Sequence, residues 1–357
     1  MAKHFLFYIS ENYAFQILRP LQDEIQRRGD TVAWFVEGNN VNRAYFQPQE
    51  TQLPDVQAVI DFHPIAVFVP GNMIPSFIPG LKVCVRHGFI GFKTRKKDGL
   101  NYSFIIRDCF DLYCTHGPSM TDTFKLLEQN HQFFKVVETG FCKMDPFFDH
   151  SMVTDKDAAT STTAQEDERP VVLFSSTFSP RMSQAEALLP TIKRLSQDTK
   201  WRWLVTFHPK MAQSTVDAYK AAQHENLTFI ETDNAMPLML EADLMLGDNS
   251  SMLVEFLMLN KPVVTMKNEH PKPHFINVTD AEKIEQSIEY ALTRPPELMD
   301  KLDDYAAQTH PYTDGQSSAR ILDATQDMLD NPPKLKNKPF NLIRSIKMRK
   351  KLSYWKW

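Results

Sequence analysis

Residues 242–264 read ADLMLGDNSSMLVEFLMLNKPVV, and in this stretch the polar tetrapeptide Asp248–Ser251 separates two apolar runs. The first run is short and predicts a buried strand. The second predicts a helix over residues 251–260, with another strand after it. A strand, a helix and a strand in this order are a unit of a parallel sheet with helices on its faces. The tetrapeptide then lies beyond the carboxyl end of a strand, where such sheets bind ligands.

The same alternation of short apolar strands with helical segments runs from KHFLFYIS at residues 3–10 to the end of this stretch, with one interruption. Residues 149–169 have no apolar periodicity and are rich in Ser, Thr, Ala, Asp and Glu, so they predict an exposed linker. A chain of 357 residues is long enough for two cores. We therefore predict an α/β protein with two doubly wound, Rossmann-like domains facing a cleft, as in the GT-B fold. The predicted divisions are residues 1–148, the linker 149–169, residues 170–330 and a tail over 331–357.

The composition is that of a soluble globular protein, because 42% of the residues are hydrophobic and 24% are charged. No apolar run approaches the ~20 residues that span a bilayer. The apolar start of the chain breaks off at Ser10-Glu11-Asn12, before a secretory signal is complete. These features lead us to expect a cytoplasmic protein. The four cysteines lie in apolar surroundings, which favours reduced core cysteines over a metal site.

The tail is strongly basic, with nine Lys and Arg and no acidic residue from Lys334 to Trp357. It carries +9, which leaves −13 for the rest of a chain whose net charge is −4. Large apolar and aromatic residues are mixed with these cations, a combination that suits an anionic membrane surface. A solvated tail and a nucleic-acid contact are the alternatives, and the acidic remainder argues against nucleic acid as a partner. The sequence thus predicts peripheral attachment to the inner face of the cell membrane.

The tetrapeptide has the features of an anion site. The first turn of a helix leaves backbone N–H groups unpaired at the positive end of the helix dipole. Asp248 and Asn249 precede two serines, Ser250 and Ser251, whose hydroxyl groups add donors. The alternative is that Asp248 or Ser250 only caps the helix.

Two histidines follow predicted strands. His87 comes after LKVCVR with a glycine behind it, and His208 comes after WLVTF, followed by Pro209 and Lys210. Histidines at the tips of strands are candidates for acid–base chemistry or phosphate contacts.

These segments together resemble the CDP-glycerol glycerophosphotransferase family. The resemblance rests on five motifs in the same order: Arg86-His87-Gly88 with Lys93 or Lys96, the segment Ser176–Arg181, the strand Leu204–Pro209, Asp248–Ser251 with Lys261-Pro262, and Asp314–Arg320. Three features depart from the family pattern. Asn249 stands where tyrosine is common, Glu255 where aspartate is frequent, and the residues after Gly88 are more apolar.

The resemblance implies a transferase that moves a polyol phosphate, most simply glycerol phosphate, from a CDP-activated donor to a hydroxyl of a glycopolymer or lipid-linked acceptor. It implies that His87 is the base, that the donor pyrophosphate lies at Asp248–Ser251, and that CMP leaves. His208 is the second implied catalytic residue, placed to neutralise the charge that develops on the leaving group. The remaining implied donor contacts are Arg181, Lys210, Glu255, Asp314 and Arg320. No tightly bound metal or other cofactor is implied.

Two other functions fit the residues. A GT-B enzyme that uses a nucleotide sugar, either a glycosyltransferase or a UDP-sugar 2-epimerase, would share the anion loop and place Glu255 on the ribose. A non-catalytic, membrane-associated assembly partner is the other, and the retention of both histidines and both serines argues against it.

Overall fold

The computed structural model describes residues 2–90, 95, 99–148, 167–232 and 234–356. Most of the predicted linker, residues 149–166, and the two lysines at positions 93 and 96 therefore lie outside the described residues. The chain divides into two compact units. The first unit is Met1–Asp149 with Thr309–Trp357, and the second is His150–Gln308.

The first unit is built on seven parallel strands. They are β1 His4–Ile9, β2 Thr31–Val36, β3 Thr51–Leu53, β4 Ala66–Val69, β5 Leu81–Cys84, β6 Leu112–Thr115 and β7 Lys135–Glu138. Their order in the sheet is β3-β2-β1-β4-β5-β6-β7. The helices are α1 Ala14–Arg27, α2 Val56–Phe62, α3 Pro118–His131 and α4 Asp145–Phe148, together with α11 Ser317–Asp330 and α12 Leu342–Lys351 near the end of the chain.

The second unit has six parallel strands in the order β10-β9-β8-β11-β12-β13. These are β8 Val171–Phe174, β9 Arg202–Val205, β10 Leu227–Phe229, β11 Leu244–Gly247, β12 Val263–Met266 and β13 Ile276–Val278. Its helices are α5 Ala185–Ser196, α6 Gln213–Ala221, α7 Met236–Glu241, α8 Met252–Leu257, α9 Ile284–Leu292 and α10 Pro296–Thr309, which ends at the boundary between the units.

In both sheets the order in which the strands are added reverses once, and a ligand has room at the point of reversal. In the first sheet β1 lies between β2 and β4, and in the second sheet β8 lies between β9 and β11. At these points the connections that follow neighbouring strands run to opposite sides of the sheet. In each sheet a crevice therefore opens beyond the carboxyl ends of the strands at the reversal. The predicted strand of the opening stretch is β11, and all four of its residues are buried. The predicted helix is shorter than expected, because after Leu257 the N–H groups of Leu259 and Asn260 bond to carbonyl groups three residues back, and the chain then turns away at Asn260, which is left-handed.

The domain boundary predicted at residue 330 is wrong, since the chain returns to the first unit at Thr309. The buried carboxylate of Asp145 accepts hydrogen bonds from the backbone N–H groups of Ser317 at 2.8 Å and Ser318 at 2.7 Å. It thereby satisfies two of the N–H groups that the start of α11 leaves unpaired. Helix α11 also packs on α1. Helix α11 therefore belongs to the first unit, although the sequence places it with residues 170–330.

The predicted separate tail is also wrong. Its residues continue along the first unit and form α12, whose Ser345, Met348 and Arg349 are buried. The Arg349 guanidinium lies 4.6 Å from the ring centroid of Phe77. Within the described ranges, no helix has the length and apolar character needed to cross a membrane.

Candidate functional site

The buried carboxylate of Asp248 organises the carboxyl edge of the second sheet. It accepts hydrogen bonds from the Ser176 hydroxyl and from the backbone N–H groups of Thr177 at 2.9 Å, Gln184 at 2.9 Å and Asn249. Four donors occupy its oxygens, so Asp248 holds the loop after β8 against the loop after β11. A carboxylate engaged in this way is a structural anchor.

The preceding residue, Gly247, is required by close packing. A Cβ atom there would meet the Leu253 side chain at 2.7 Å and the Ser175 carbonyl oxygen at 3.1 Å. Glycine therefore allows β11 to run directly against the loop after β8 and the start of α8.

Asn249 extends this network to the loop after β12. Its side-chain oxygen accepts from the Glu269 N–H at 2.9 Å, and its amide nitrogen donates to the Met182 carbonyl at 3.3 Å. Asn268 donates to the carbonyl oxygen of Asp248. Three loops, after β8, β11 and β12, are thus joined at the switch point of the sheet, where a ligand is expected.

The two serines have different roles. The Ser250 hydroxyl accepts a hydrogen bond from the Met252 N–H at 3.3 Å, but the residue at the N-cap position of α8 is Ser251, so neither Asp248 nor Ser250 caps this helix. The Ser251 side chain is exposed and makes no capping bond. Direct contact between Ser251 and a donor therefore stays a prediction. Glu255, in the first turn of α8, is buried.

An exposed cationic and aromatic group lies on the neighbouring loops. His208, after β9, packs its ring on Phe178 with centroids 4.6 Å apart, and the Lys210 ammonium lies 5.9 Å from the same ring. The Lys210 N–H donates to Nδ1 of His208 at 3.0 Å. In the neutral imidazole Nε2 therefore carries the hydrogen and is a donor. Burial, with a smaller contribution from Lys210, lowers the pKa of His208.

Arg181 is a highly exposed member of the predicted donor contacts, with 87% of its side chain accessible. Its guanidinium lies 3.5 Å from the carboxylate of Glu269, on the loop after β12. An exposed ion pair at this distance contributes little to stability, so Arg181 is able to turn toward an anionic ligand.

In the first unit, His87 follows β5 at the carboxyl edge of that sheet. Its Nδ1 lies 3.2 Å from the Pro70 carbonyl oxygen, and its ring stacks on Tyr13 with centroids 5.3 Å apart. A carbonyl oxygen only accepts, so Nδ1 carries the hydrogen and Nε2 has a free lone pair in the neutral ring. Desolvation, with a smaller effect of Arg86, lowers the pKa of His87. The neutral form, which is able to accept a proton, is thereby favoured.

Asp314 and Arg320, predicted as donor contacts, belong to the first unit and pair with each other. The Arg320 guanidinium also lies 4.2 Å from the ring centroid of Tyr312. Asp248, Asn249, Ser250, Ser251, Arg181, Lys210, Glu255 and His208 are together in the second unit.

Several neighbours of these residues were not predicted as site residues. Ser176 and Phe178 follow the apolar run of β8 as a polar and aromatic loop, and applying the strand-end argument to every strand would have found them. Tyr13 and Asn268 gave no such signal, because their contacts come from distant parts of the chain. The four cysteines are buried with free thiols. Among the residues placed by the structure, no group of three His, Cys, Asp or Glu side chains is arranged to hold a metal ion.

A model of the UDP-N-acetylglucosamine 2-epimerase family matches residues 105–326, more than half of the chain. A search of curated proteins found no match.

Three solved structures are similar over nearly the whole chain. The wall teichoic acid polymerase TagF has 13% sequence identity and a TM-score of 0.64, covering 93% of this chain and 90% of that one. MnaA of S. aureus, determined with UDP, has 13% identity and a TM-score of 0.65, covering 95% and 100%. The UDP-GlcNAc 2-epimerase of Neisseria meningitidis, bound to UDP-GlcNAc, has 16% identity and a TM-score of 0.59, covering 93% and 100%. These likenesses show the fold alone, and they confirm the predicted GT-B-like pair of parallel-sheet α/β domains.

Proposed function

This chain belongs to the UDP-N-acetylglucosamine 2-epimerase family, and we propose that it binds a UDP-activated sugar and inverts the configuration at C2 of that sugar. The observation that carries this proposal is the family match over residues 105–326. It favours one of the alternatives from the sequence analysis over the CDP-polyol transfer that the sequence motifs suggested. In this proposal the site in the second unit binds the nucleotide.

The nucleotide lies, in this proposal, at the carboxyl edge of the second sheet. Asp248 fixes the loops after β8 and β11, and Arg181, Lys210 and Nε2–H of His208 are the cationic and donor groups available for a diphosphate. Glu255 is assigned to the ribose hydroxyl groups. Arrangement of donors before the ligand arrives lowers the cost of stabilising charge on a leaving diphosphate.

The chemistry explains why the diphosphate matters to a reaction at C2. The C2 proton of a sugar is not acidic, because C1 is an acetal carbon and not a carbonyl. Breaking the C1–oxygen bond sends its electron pair to the diphosphate, a base removes the C2 proton, and a C1–C2 double bond forms. Return of a proton to the opposite face of C2 and of the diphosphate to C1 gives the epimer. The atoms balance, and no oxidant is required.

His87 is the proposed base. Its Nδ1 hydrogen is directed to Pro70, so Nε2 is the basic atom, and its lowered pKa keeps it neutral near pH 7. Loss of a general base reduces catalysis by about 100-fold or more.

The proposal is tested by incubating the protein with UDP-GlcNAc in D₂O and following C2 by proton NMR. Wild type is expected to form the C2 epimer and to incorporate deuterium at C2. We expect His87→Gln to slow both by about 100-fold or more, while His131→Gln, a histidine on α3, leaves the rate unchanged. Absence of both epimer and deuterium with wild type would contradict the epimerase proposal.

A second candidate is transfer of a polyol phosphate from a CDP-linked donor. It is favoured by the Asp-x-Ser-Ser sequence at Asp248–Ser251 and by the likeness in fold to a wall teichoic acid polymerase. This reaction needs a hydroxyl acceptor on a glycopolymer or lipid. CMP release from CDP-glycerol in the presence of a membrane fraction, combined with tighter calorimetric binding of CDP than of UDP, would establish it in place of epimerisation.

A further inference from the structure

We infer that α12 and the residues beside it dock this protein on an anionic lipid surface. This inference is independent of the reaction proposed above. It rests on how α12 divides its side chains between the first unit and solvent. The outward residues are called the α12 face below. They are Phe340, Leu342, Ile343, Ile346, Lys347 and Lys350.

The inner side of α12 is firmly attached to the first unit. Arg349 is buried with its guanidinium over Phe77, and Tyr354 stacks on the same phenylalanine with centroids 5.3 Å apart. The Asn341 side chain caps the helix by accepting from the Arg344 N–H at 2.9 Å. These contacts orient the helix, so the same residues always point outward.

The outer side begins with unusually exposed apolar residues. The exposed fractions are 67% for Phe340, 51% for Leu342, 69% for Ile343 and 42% for Ile346. They lie within two turns of one another at the start of the helix. Trp355, just after the helix, is 54% exposed. Large apolar side chains grouped on one face in this way are typical of a surface that is covered by another phase or molecule.

The second half of the same face is cationic. Lys347 follows Ile343 by four residues and Lys350 follows Ile346 by four, so both share the face of the apolar residues. In the part of the chain that the structure describes, neither lysine has an acidic partner. Lys338 and Lys351, in contrast, pair with Asp111 and Glu37 of the first unit. Lys347 and Lys350 are both exposed, so their ammonium groups are available to an anionic surface.

The charge and the apolar character of the α12 face together indicate what binds to it. A second copy of this chain would bring two like-charged faces together, which costs free energy. Nucleic acid would contact the lysines but leave the leucine and the isoleucines in water. An anionic bilayer accepts both halves, because the apolar side chains enter the headgroup boundary while the lysines contact lipid phosphates. The α12 face thus fits a membrane surface, as an interfacial helix that does not span the bilayer.

The test is co-sedimentation of the full chain with vesicles of phosphatidylcholine, with and without phosphatidylglycerol. Wild type is expected to pellet with the anionic vesicles and to remain in solution with the neutral ones. Ile343→Glu should weaken binding by about ten-fold or more, because it removes an inserted side chain and adds a repelled charge. Lys347→Gln combined with Lys350→Gln should weaken binding and reduce its dependence on salt.

The matched control is Leu126→Glu, which makes the same kind of change at a residue 60% exposed on α3 of the same unit. Unfolding midpoints for all variants confirm that the fold is retained. The inference is overturned if wild type does not bind anionic vesicles, if Ile343→Glu binds as wild type does, or if Leu126→Glu loses as much binding as Ile343→Glu. A protein partner in place of lipid would give the first of these results.

Discussion

At the scale of single residues, the site in the second unit depends on a carboxylate whose role is structural. Asp248 is fully buried, and its oxygens accept four hydrogen bonds from residues on both sides of the sheet switch point. The motif that contains it is typical of a ligand loop, and the sequence predicts a donor contact for the aspartate itself. Its bonds indicate that it holds the loops from which other side chains reach a ligand.

Replacing Asp248 with asparagine tests this role. The new NH₂ group faces backbone N–H donors, and a buried donor without an acceptor is costly. We expect the free energy of unfolding to fall by about 2–3 kcal/mol and UDP binding to weaken. Urea unfolding and calorimetry measure the two effects. Ser251→Ala, which removes an exposed hydroxyl without a capping bond, should change stability by less than about 0.5 kcal/mol. Equal stability of both variants would contradict the anchoring role.

At the scale of elements, α11 is held by a residue that precedes it by 172 positions. The Asp145 carboxylate accepts from the N–H groups of Ser317 and Ser318 and so acts as a cap from outside the helix. Gly140 lies beside the same helix start with φ of +82°, and a Cβ atom there would meet the Ser317 hydroxyl oxygen at 2.4 Å. The return of the chain to the first unit therefore depends on a small number of close contacts.

Asp145→Ala should lower the free energy of unfolding by about 2 kcal/mol, because two buried N–H groups lose a charged acceptor. Chemical denaturation of the full chain provides the measurement. Asp323→Ala serves as the control. Its carboxylate lies on α11, is 68% exposed and pairs with Arg28, which follows α1. Loss of this surface ion pair should cost less than about 1 kcal/mol. If the two variants were equally stable, the external cap would be unimportant.

At the scale of the whole molecule, each unit contains a buried histidine that resists protonation. Burial lowers the pKa of His310 in the first unit and of His274 in the second unit from 6.5 to about 4. The unfolded chain therefore binds protons more readily than the folded one below pH 6.5. Stability from these groups is complete above that pH and declines as the pH falls toward 4.

We expect each histidine to contribute a loss of up to about 3 kcal/mol between pH 7 and pH 4. His274→Phe retains a ring to stack on Tyr305, whose centroid lies 3.6 Å from that of His274, but removes the titrating group. Its free energy of unfolding should therefore fall less steeply with acid than that of wild type. His131→Phe should follow wild type. The expectation fails if His274→Phe and wild type have the same dependence on pH.

The sequence by itself determined the strands, their parallel arrangement and the loop at Asp248–Ser251, because a short apolar run bounded by polar residues is a local signal. It also located His87 and His208 at strand ends, for the same reason. Only the tertiary structure decided what Asp248 binds, to which unit residues 309–357 belong, and which side chains of α12 face outward. These features depend on contacts between distant residues, such as Gln184 with Asp248 and Asp145 with Ser317. Local periodicity carries no information about such partners, and packing alone brings them together.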